Sequence, residues 1–315
     1  MYKITFNNKN RVFFNTLKKE VDRYFEQNKL KKTGNWKLYL KTGLLIPSAI
    51  IIYVSLLLFP ISTPALIALS GLLGFILASI GFNVMHDANH GSYSDKKWVN
   101  ETLGYSLNIL GGNAFIWKIK HNIIHHTYTN VDGIDDDIAL TKLLRQADTQ
   151  KWTPKHRFQH IYVIAIYAIT SIAWAFLTDF KKYFNRKVQQ MPITGMDKKQ
   201  HVIFWLSKII YVGIYILLPL LLTGWQSWLI FFLSMHLVLG FTLAIVFQLA
   251  HIVEHTEFEV ATTDPKMIEN EWAIYQVKST ANFAPANKFI SWYVGGLNYQ
   301  IEHHLFPRKI GRAHV

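Results

Sequence analysis

Four stretches of this chain carry almost no polar side chains: Leu44 to Leu58, Ala65 to Ile80, Phe204 to Leu222 and Trp228 to Ala250. Each, with its flanks, approaches the roughly 20 residues that take a helix across a bilayer. The pattern predicts membrane helices over about 43–60, 64–85, 203–223 and 227–250. Short links at Pro60 to Pro64 and Thr223 to Ser227 join them as two hairpins. Residues 1–40 form a basic, partly amphipathic arm, and 91–200 mix aromatic and charged residues. The first residues lack the layout of a signal peptide, so no cleavage is expected.

Charge orients these hairpins. The chain has 315 residues and a net charge of +13, and neither short link contributes any of it. Lys18, Lys19, Lys31 and Lys32 lie in the arm, Lys181, Lys182, Arg186 and Lys187 in the central region, and Arg308 and Lys309 near the end. The positive-inside rule then places the links outside and both termini in the cytoplasm. It also accounts for the basic balance without nucleic acid. One more apolar run, 161–177, is nearly long enough to cross. A fifth crossing would put Lys181, Lys182, Arg186 and Lys187 outside and separate the histidine clusters described next. The run is therefore expected to be interfacial or re-entrant.

Nine of the fourteen histidines fall into four clusters, each beside an apolar segment. They are His86 and His90; His121, His125 and His126; His251 and His255; and His303 and His304, with Gln300 one turn earlier. Residues three or four apart share one face of a helix, so each cluster can aim two or three nitrogens at one point. Histidine is the commonest neutral metal ligand. The chain has no cysteine, which excludes disulfides, thiolate zinc sites and iron–sulfur clusters. One such pair is weak evidence, but four clusters together predict a centre holding two metals. Nitrogen-rich sites suit iron, copper, nickel and zinc alike. A two-metal hydrolase and an iron oxygenase both remain open on ligand chemistry alone.

The segments His86-Asp-Ala-Asn-His90, His121-Asn-Ile-Ile-His125-His126 and Gln300-Ile-Glu-His303-His304 resemble the three histidine boxes of the membrane fatty acid desaturases. The glutamine opening the third box is similar to the front-end subgroup, the linoleoyl-CoA or delta-6-like enzymes. Those enzymes insert a double bond between an existing one and the carboxyl end. The resemblance implies an oxidoreductase that uses two iron ions and O2 to place a cis double bond in a fatty acyl chain. It implies His86, His90, His121, His125, His126, His303 and His304 as iron ligands, with Gln300 near or on the iron. His255 matches a further ligand at the end of the fourth span, and His251 a water-bridged group one turn before it. Asp87, Asn122, Asp137, Glu254 and Glu302 are expected to orient ligands, with Asp132, Asp135, Asp136, Asn130 and Asn298 as further candidates. The His-Pro-Gly-Gly motif of a fused cytochrome-b5 domain does not occur. Electrons are therefore expected from a separate donor, cytochrome b5-like or ferredoxin-like.

The fold expected is an all-α integral membrane protein. Four transmembrane helices stand in two hairpins, with interfacial helices and a helical cytoplasmic cap holding the di-iron site. Residues 1–309 form one domain, with membrane lipid around it. Residues 310–315 read as a non-native tail, because a common sequencing-adapter stretch encodes them in frame. His156, His160 and His201 are expected at the surface or an interface. His236, inside the fourth span, is either functional or simply bonded to a neighbouring helix. Trp117, Trp152, Trp225, Trp228 and Trp272 are candidates for an interfacial belt. The alternative activities are a membrane di-iron hydroxylase, a zinc hydrolase and a metal transporter. The cluster positions at span ends disfavour transport, which places ligands near the midplane.

Overall fold

The computed structural model describes residues 4–9, 11–138, 141–261 and 266–309. The tail 310–315 lies outside the described residues. Four helices are long and apolar enough to cross a membrane: Trp36–Leu58, Thr63–Asn89, Lys198–Thr223 and Trp225–His251. Each extends beyond its apolar run, because polar caps rather than hydrophobicity set several of the ends. Asn35 accepts from the backbone N–H groups of Lys37 and Leu38 and starts the first span at Trp36. Asp197 accepts from Gln200 N and starts the third at Lys198. Pro64 in the first turn of the second span has no N–H to leave unsatisfied. Gly224, at φ +79°, is the single residue between the third and fourth spans, a conformation suited to glycine.

The second and fourth spans form the inner pair. Half or more of each apolar window is buried, 56% and 50%, against 17% and 28% for the first and third. Small residues bring the inner helices close, the usual device where lipid offers no hydrophobic drive to association. A Cβ on Gly74 would stand 2.2 Å from Met235 O, and one on Gly240 would stand 2.3 Å from Ala168 O.

The run expected as interfacial at 161–177 is two helices, Pro154–Ala168 and Thr170–Asn185, bent by 56° where they meet. The bend is pinned against the fourth span, with Thr170 Oγ1 donating to Gly240 O at 3.1 Å. Nearby, Ser171 Oγ and Tyr211 OH contact the two ring nitrogens of His236 at 2.9 and 2.6 Å. The histidine inside the fourth span thus ties three helical elements together.

The basic arm is structured and closes over the end of the bundle that carries the histidines. Ile4–Phe6 pairs in parallel with Lys266–Ile268. The helix Val12–Gln27 lies against the cap: Phe14 N donates to Glu271 Oε1 at 2.9 Å, and Phe14 packs on Trp272 and Phe306. Lys309 reaches Asp22 at 2.6 Å. Two further two-stranded ladders, Val131–Asp132 with Glu259–Val260 and Lys187–Val188 with Met191–Pro192, are the remaining strands among the described residues.

If close approach at Gly74 holds the inner pair, Gly74→Ala is expected to destabilise the protein by about 1–3 kcal/mol through overpacking. The readout is a lower thermal unfolding midpoint in detergent. Gly43→Ala, whose added Cβ meets nothing within 4 Å, should not lower it.

Candidate metal centre

Eight histidines converge at the end of the bundle opposite the hairpin links, and all are buried. Nitrogens of His86, His90, His121 and His303 lie within 4.8 Å of one another, and those of His125, His251 and His304 do the same. His126 stands between the two groups. Its ring centroid is 4.7 Å from His303 and 4.4 Å from His304, and 4.9 and 4.8 Å from His90 and His121. Asp137 forms a third possible group with His121 and His125.

Local backbone geometry deals these side chains into two sets. The second span passes through a π-helical turn, Gly81–Met85, directly before His86. Residues 118–125 are also π-helical, and His126 N donates to His121 O at 3.1 Å, five residues back. The wider turn departs from the ordinary helical spacing assumed from sequence. It sends His121 to the first group and His125 to the second. The third box lies on the short helix Gln300–Leu305, with His303 and His304 one in each group.

The expectation for the fourth cluster is corrected. The fourth span ends at His251, and Ile252 leaves helical geometry at φ −118°, ψ 69°. The shared face that relates residues four apart therefore stops before His255. That residue takes a left-handed backbone at φ +73°, and its side chain is 89% exposed beside an equally exposed Glu254. The structure brings His251, not His255, to the cluster. Glu302 also points outward, accepting from Asn282 Nδ2 at 2.9 Å. Asn122 donates to Asn89 O at 2.9 Å and so braces the backbone beside His90. Trp117, expected in an interfacial belt, is buried and stacks on His121 at 4.3 Å. Trp272 donates to His126 O at 3.2 Å.

Partners on the outer side of the rings fix their orientation. His125 Nδ1 lies 3.0 Å from Asp135 Oδ2, and His304 Nδ1 lies 2.9 Å from Gln276 Oε1. His86 Nδ1 lies 3.1 Å from Asp87 Oδ1. A Nδ1–H donated to each acceptor leaves Nε2 directed inward, the arrangement typical of metal-binding imidazoles. Asp135 is itself held by the backbone N–H groups of Asn130 and Asp137. Asp137 pairs with Lys120 and lies 3.7 Å from His125. Gln276 also accepts from Thr129 Oγ1 at 2.9 Å. Thr129 lies in the second box segment, which continues His126-Thr-Tyr-Thr-Asn130, whereas Gln276 belongs to no motif and no spacing in the sequence marks it. Asp135 was one acidic residue among several near the boxes.

Electrostatics favour neutral rings at His121 and His304. Burial, then the neighbouring imidazoles, holds His121 and His304 well below the ordinary histidine range. Burial pulls His125 down too, but Asp135 and Asp137 outweigh it and raise this residue. The Nε2 atoms of His121, His125 and His304 are buried with no hydrogen-bond partner. Buried nitrogens without partners are costly, and a metal ion would supply the missing bonds. The donor set thus fits a metal centre of nitrogen ligands.

An apolar cavity of about 170 Å³ runs from this cluster between the inner spans. Its walls include His86, His121, Trp117 and Gln300 together with Gly81, Phe82, Leu243 and Phe247.

Residues 62–310 match the family described as fatty acid desaturase. The chain belongs to the fatty acid desaturase family. As a family member it is an oxidoreductase of fatty acyl chains, embedded in the membrane through its four apolar spans. Among curated desaturases, it is 33% identical over 310 residues to the sn-1 linoleoyl-lipid 6-desaturase of Arthrospira platensis, covering 97% of this chain and 82% of that one. Identity is 34% over 299 residues to the enzyme of the same name from Synechocystis sp., covering 94% and 83%. It is 33% over 312 residues to the acyl-lipid (8-3)-desaturase of Physcomitrium patens, covering 97% and 64%.

Metal analysis of purified protein separates the two histidines of the fourth cluster. His251→Ala is expected to lower the bound metal per chain, and His255→Ala to leave it unchanged. Asp135→Ala, which removes the partner of His125, should weaken metal retention by about 10–100-fold.

Proposed function

We propose that this desaturase is of the front-end type and inserts a cis double bond on the carboxyl side of an existing one in a lipid-borne acyl chain. The observation that carries the reading is the pair of buried histidine groups at the head of the apolar cavity. The activities for which the relatives are named, 6-desaturation of linoleoyl-lipid and (8-3)-desaturation of acyl-lipid, and Gln300 at the start of the third box support it.

In this reading His86, His90, His121 and His303 hold one iron, with Gln300 alongside, and His125, His251 and His304 hold the other. His126 serves the space between them. Two irons bound there, with O2, two protons and two electrons from a cytochrome b5-like or ferredoxin-like donor, would supply the oxidant that removes two vicinal hydrogens, and O2 would leave as two molecules of water. The chain's own residues set the conditions for this chemistry. Asp87, Asp135 and Gln276 hold the Nδ1 protons of His86, His125 and His304 and fix those rings. Trp117 packs against His121 and keeps water from it. The narrow apolar walls formed by Phe82, Leu243 and Phe247 hold the acyl carbons in register with the histidines, so positioning is achieved before reaction. The centre, the arm and both termini lie on the cytoplasmic face, as the distribution of Lys and Arg supports. The bent pair lies at the interface, and residues 1–309 act as one domain.

A membrane di-iron hydroxylase would use similar ligands. The desaturase relatives favour loss of a second hydrogen over oxygen insertion. Fatty acids profiled by mass spectrometry, with double-bond positions, in host cells fed linoleate test the reading. Cells expressing the chain should gain a double bond on the carboxyl side of the existing one, absent with His303→Ala. A hydroxylated product would transfer the assignment to the hydroxylases. Purified protein holding zinc in place of iron would overturn the di-iron reading.

A further inference from the structure

Asn83 lies in the π-helical turn Gly81–Met85 of the second span, three residues before His86, and is fully buried. Both polar atoms of its amide are engaged. Nδ2 donates to Ser79 O and to Tyr293 O, each at 2.8 Å. Oδ1 accepts from Lys41 Nζ at 2.8 Å, and Lys41 donates again to Trp292 O at 2.6 Å. Ser79 Oγ adds a bond to Tyr293 O at 2.9 Å. The amide can sit only one way, since an ammonium only donates and a carbonyl only accepts. One buried side chain thus joins the first span, the second span and the segment that leads to the third box.

Each side of this junction leads to members of the first histidine group. On the second span, a side-chain donor at the carbonyl four residues back is an identifiable cause of departure from α-helical geometry. The turn ends with His86 N donating to Gly81 O, five residues back, and so sets the angle at which His86 and His90 leave the span. On the other side, Tyr293 is fastened to the same span. Its ring stacks on Phe75 at 4.0 Å and its OH donates to Phe75 O at 2.7 Å. Gly295 follows at φ +66°, and a Cβ there would stand 2.7 Å from Asn83 Oδ1. Tyr299 N then donates to Gly296 O at 3.0 Å, and His303 N to Tyr299 O at 3.1 Å, which carries the register of this turn into the third box. The second group has separate supports, Asp135 for His125 and Gln276 for His304.

We propose that Asn83 is the positioning residue of the first histidine group, with Lys41 as its outer latch, and that this amide sets the affinity of that group for its metal through the backbone. This rests on the reading above in which each group holds one iron. Alanine at 83 takes an acceptor from Lys41 and a donor from Ser79 O and Tyr293 O at a buried site, where lost partners are costly. The backbones of the second span and the third-box segment are then free to shift against each other. His86 and His90 move with one and His303 with the other, and those are three members of the group of four.

The purified full chain, loaded anaerobically with ferrous iron, tests this by chelator competition and Mössbauer spectroscopy. Asn83→Ala is expected to weaken retention of one iron by about 10–100-fold and to leave the other as in the parent, with one Mössbauer component lost. Gly295→Ala, which crowds the same amide from the third-box side, should remove the same component. Lys41→Gln should weaken that site to a smaller extent, and it serves in place of an Asn83 variant that fails to fold. Equal weakening at both sites, or at neither, overturns the proposal. Hydrogen exchange of the metal-free protein reads the latch without iron. Either variant should speed exchange over 79–90 and 293–303 and leave 121–130 unchanged. Parent-like exchange over 79–90 and 293–303 sinks the proposal whatever the metal count. A parent that retains a single metal, or zinc, sinks the di-iron reading instead, and the exchange result then stands apart from it.

Discussion

Buried imidazole is the constraint on which the rest of this structure turns. Eight histidines are packed below solvent at one end of the bundle, and a polar group there is tolerated only with a partner for each of its polar atoms. Outward nitrogens meet Asp87, Asp135 and Gln276. Inward ones at His121, His125 and His304 meet no hydrogen-bond partner. A shell that satisfies one side of the ring and leaves the other for a metal explains why so much polar structure is gathered here. The holders of Asp135, the backbone of Asn130 and the Thr129–Gln276 pair belong to that shell.

The membrane bundle serves the same constraint from below. The second and fourth spans deliver His86, His90 and His251, and glycine at Gly74 and Gly240 lets neighbouring backbones come within contact. The outer spans are left with mostly lipid-facing surface. The cap works from above, where the arm helix packs Phe14 between Trp272 and Phe306 and the third box enters between arm and spans. Ligands arriving from four separated stretches of chain thus depend on contacts made by residues that touch no histidine.

Much of this was legible from residue type and spacing. The four apolar runs foretold the spans, since the bilayer sets a length that few other environments require. The boxes foretold which histidines gather, and the family they resemble. Less legible were the ends of the elements. Asn35 and Asp197 begin spans ahead of the apolar runs, because capping a helix end can outweigh a few polar residues within it. Trp117 was expected near the interface, yet it is buried and stacks on His121 one turn further along the same helical stretch.

The sequence by itself determined the number of spans, the donor type of the centre and the family, because each rests on composition or on spacing within a short stretch. Only the tertiary structure decided which histidine of the fourth cluster faces the centre. Spacing of four residues puts His251 and His255 on one face only while the helix continues, and it ends at His251. The same holds for the division of His121 and His125 between two groups, which a π-helical turn sets. Asp135 and Gln276 were recognisable as partners only once the chain had brought them to His125 and His304. Local periodicity assumes a regular backbone, and at this centre the backbone departs from it.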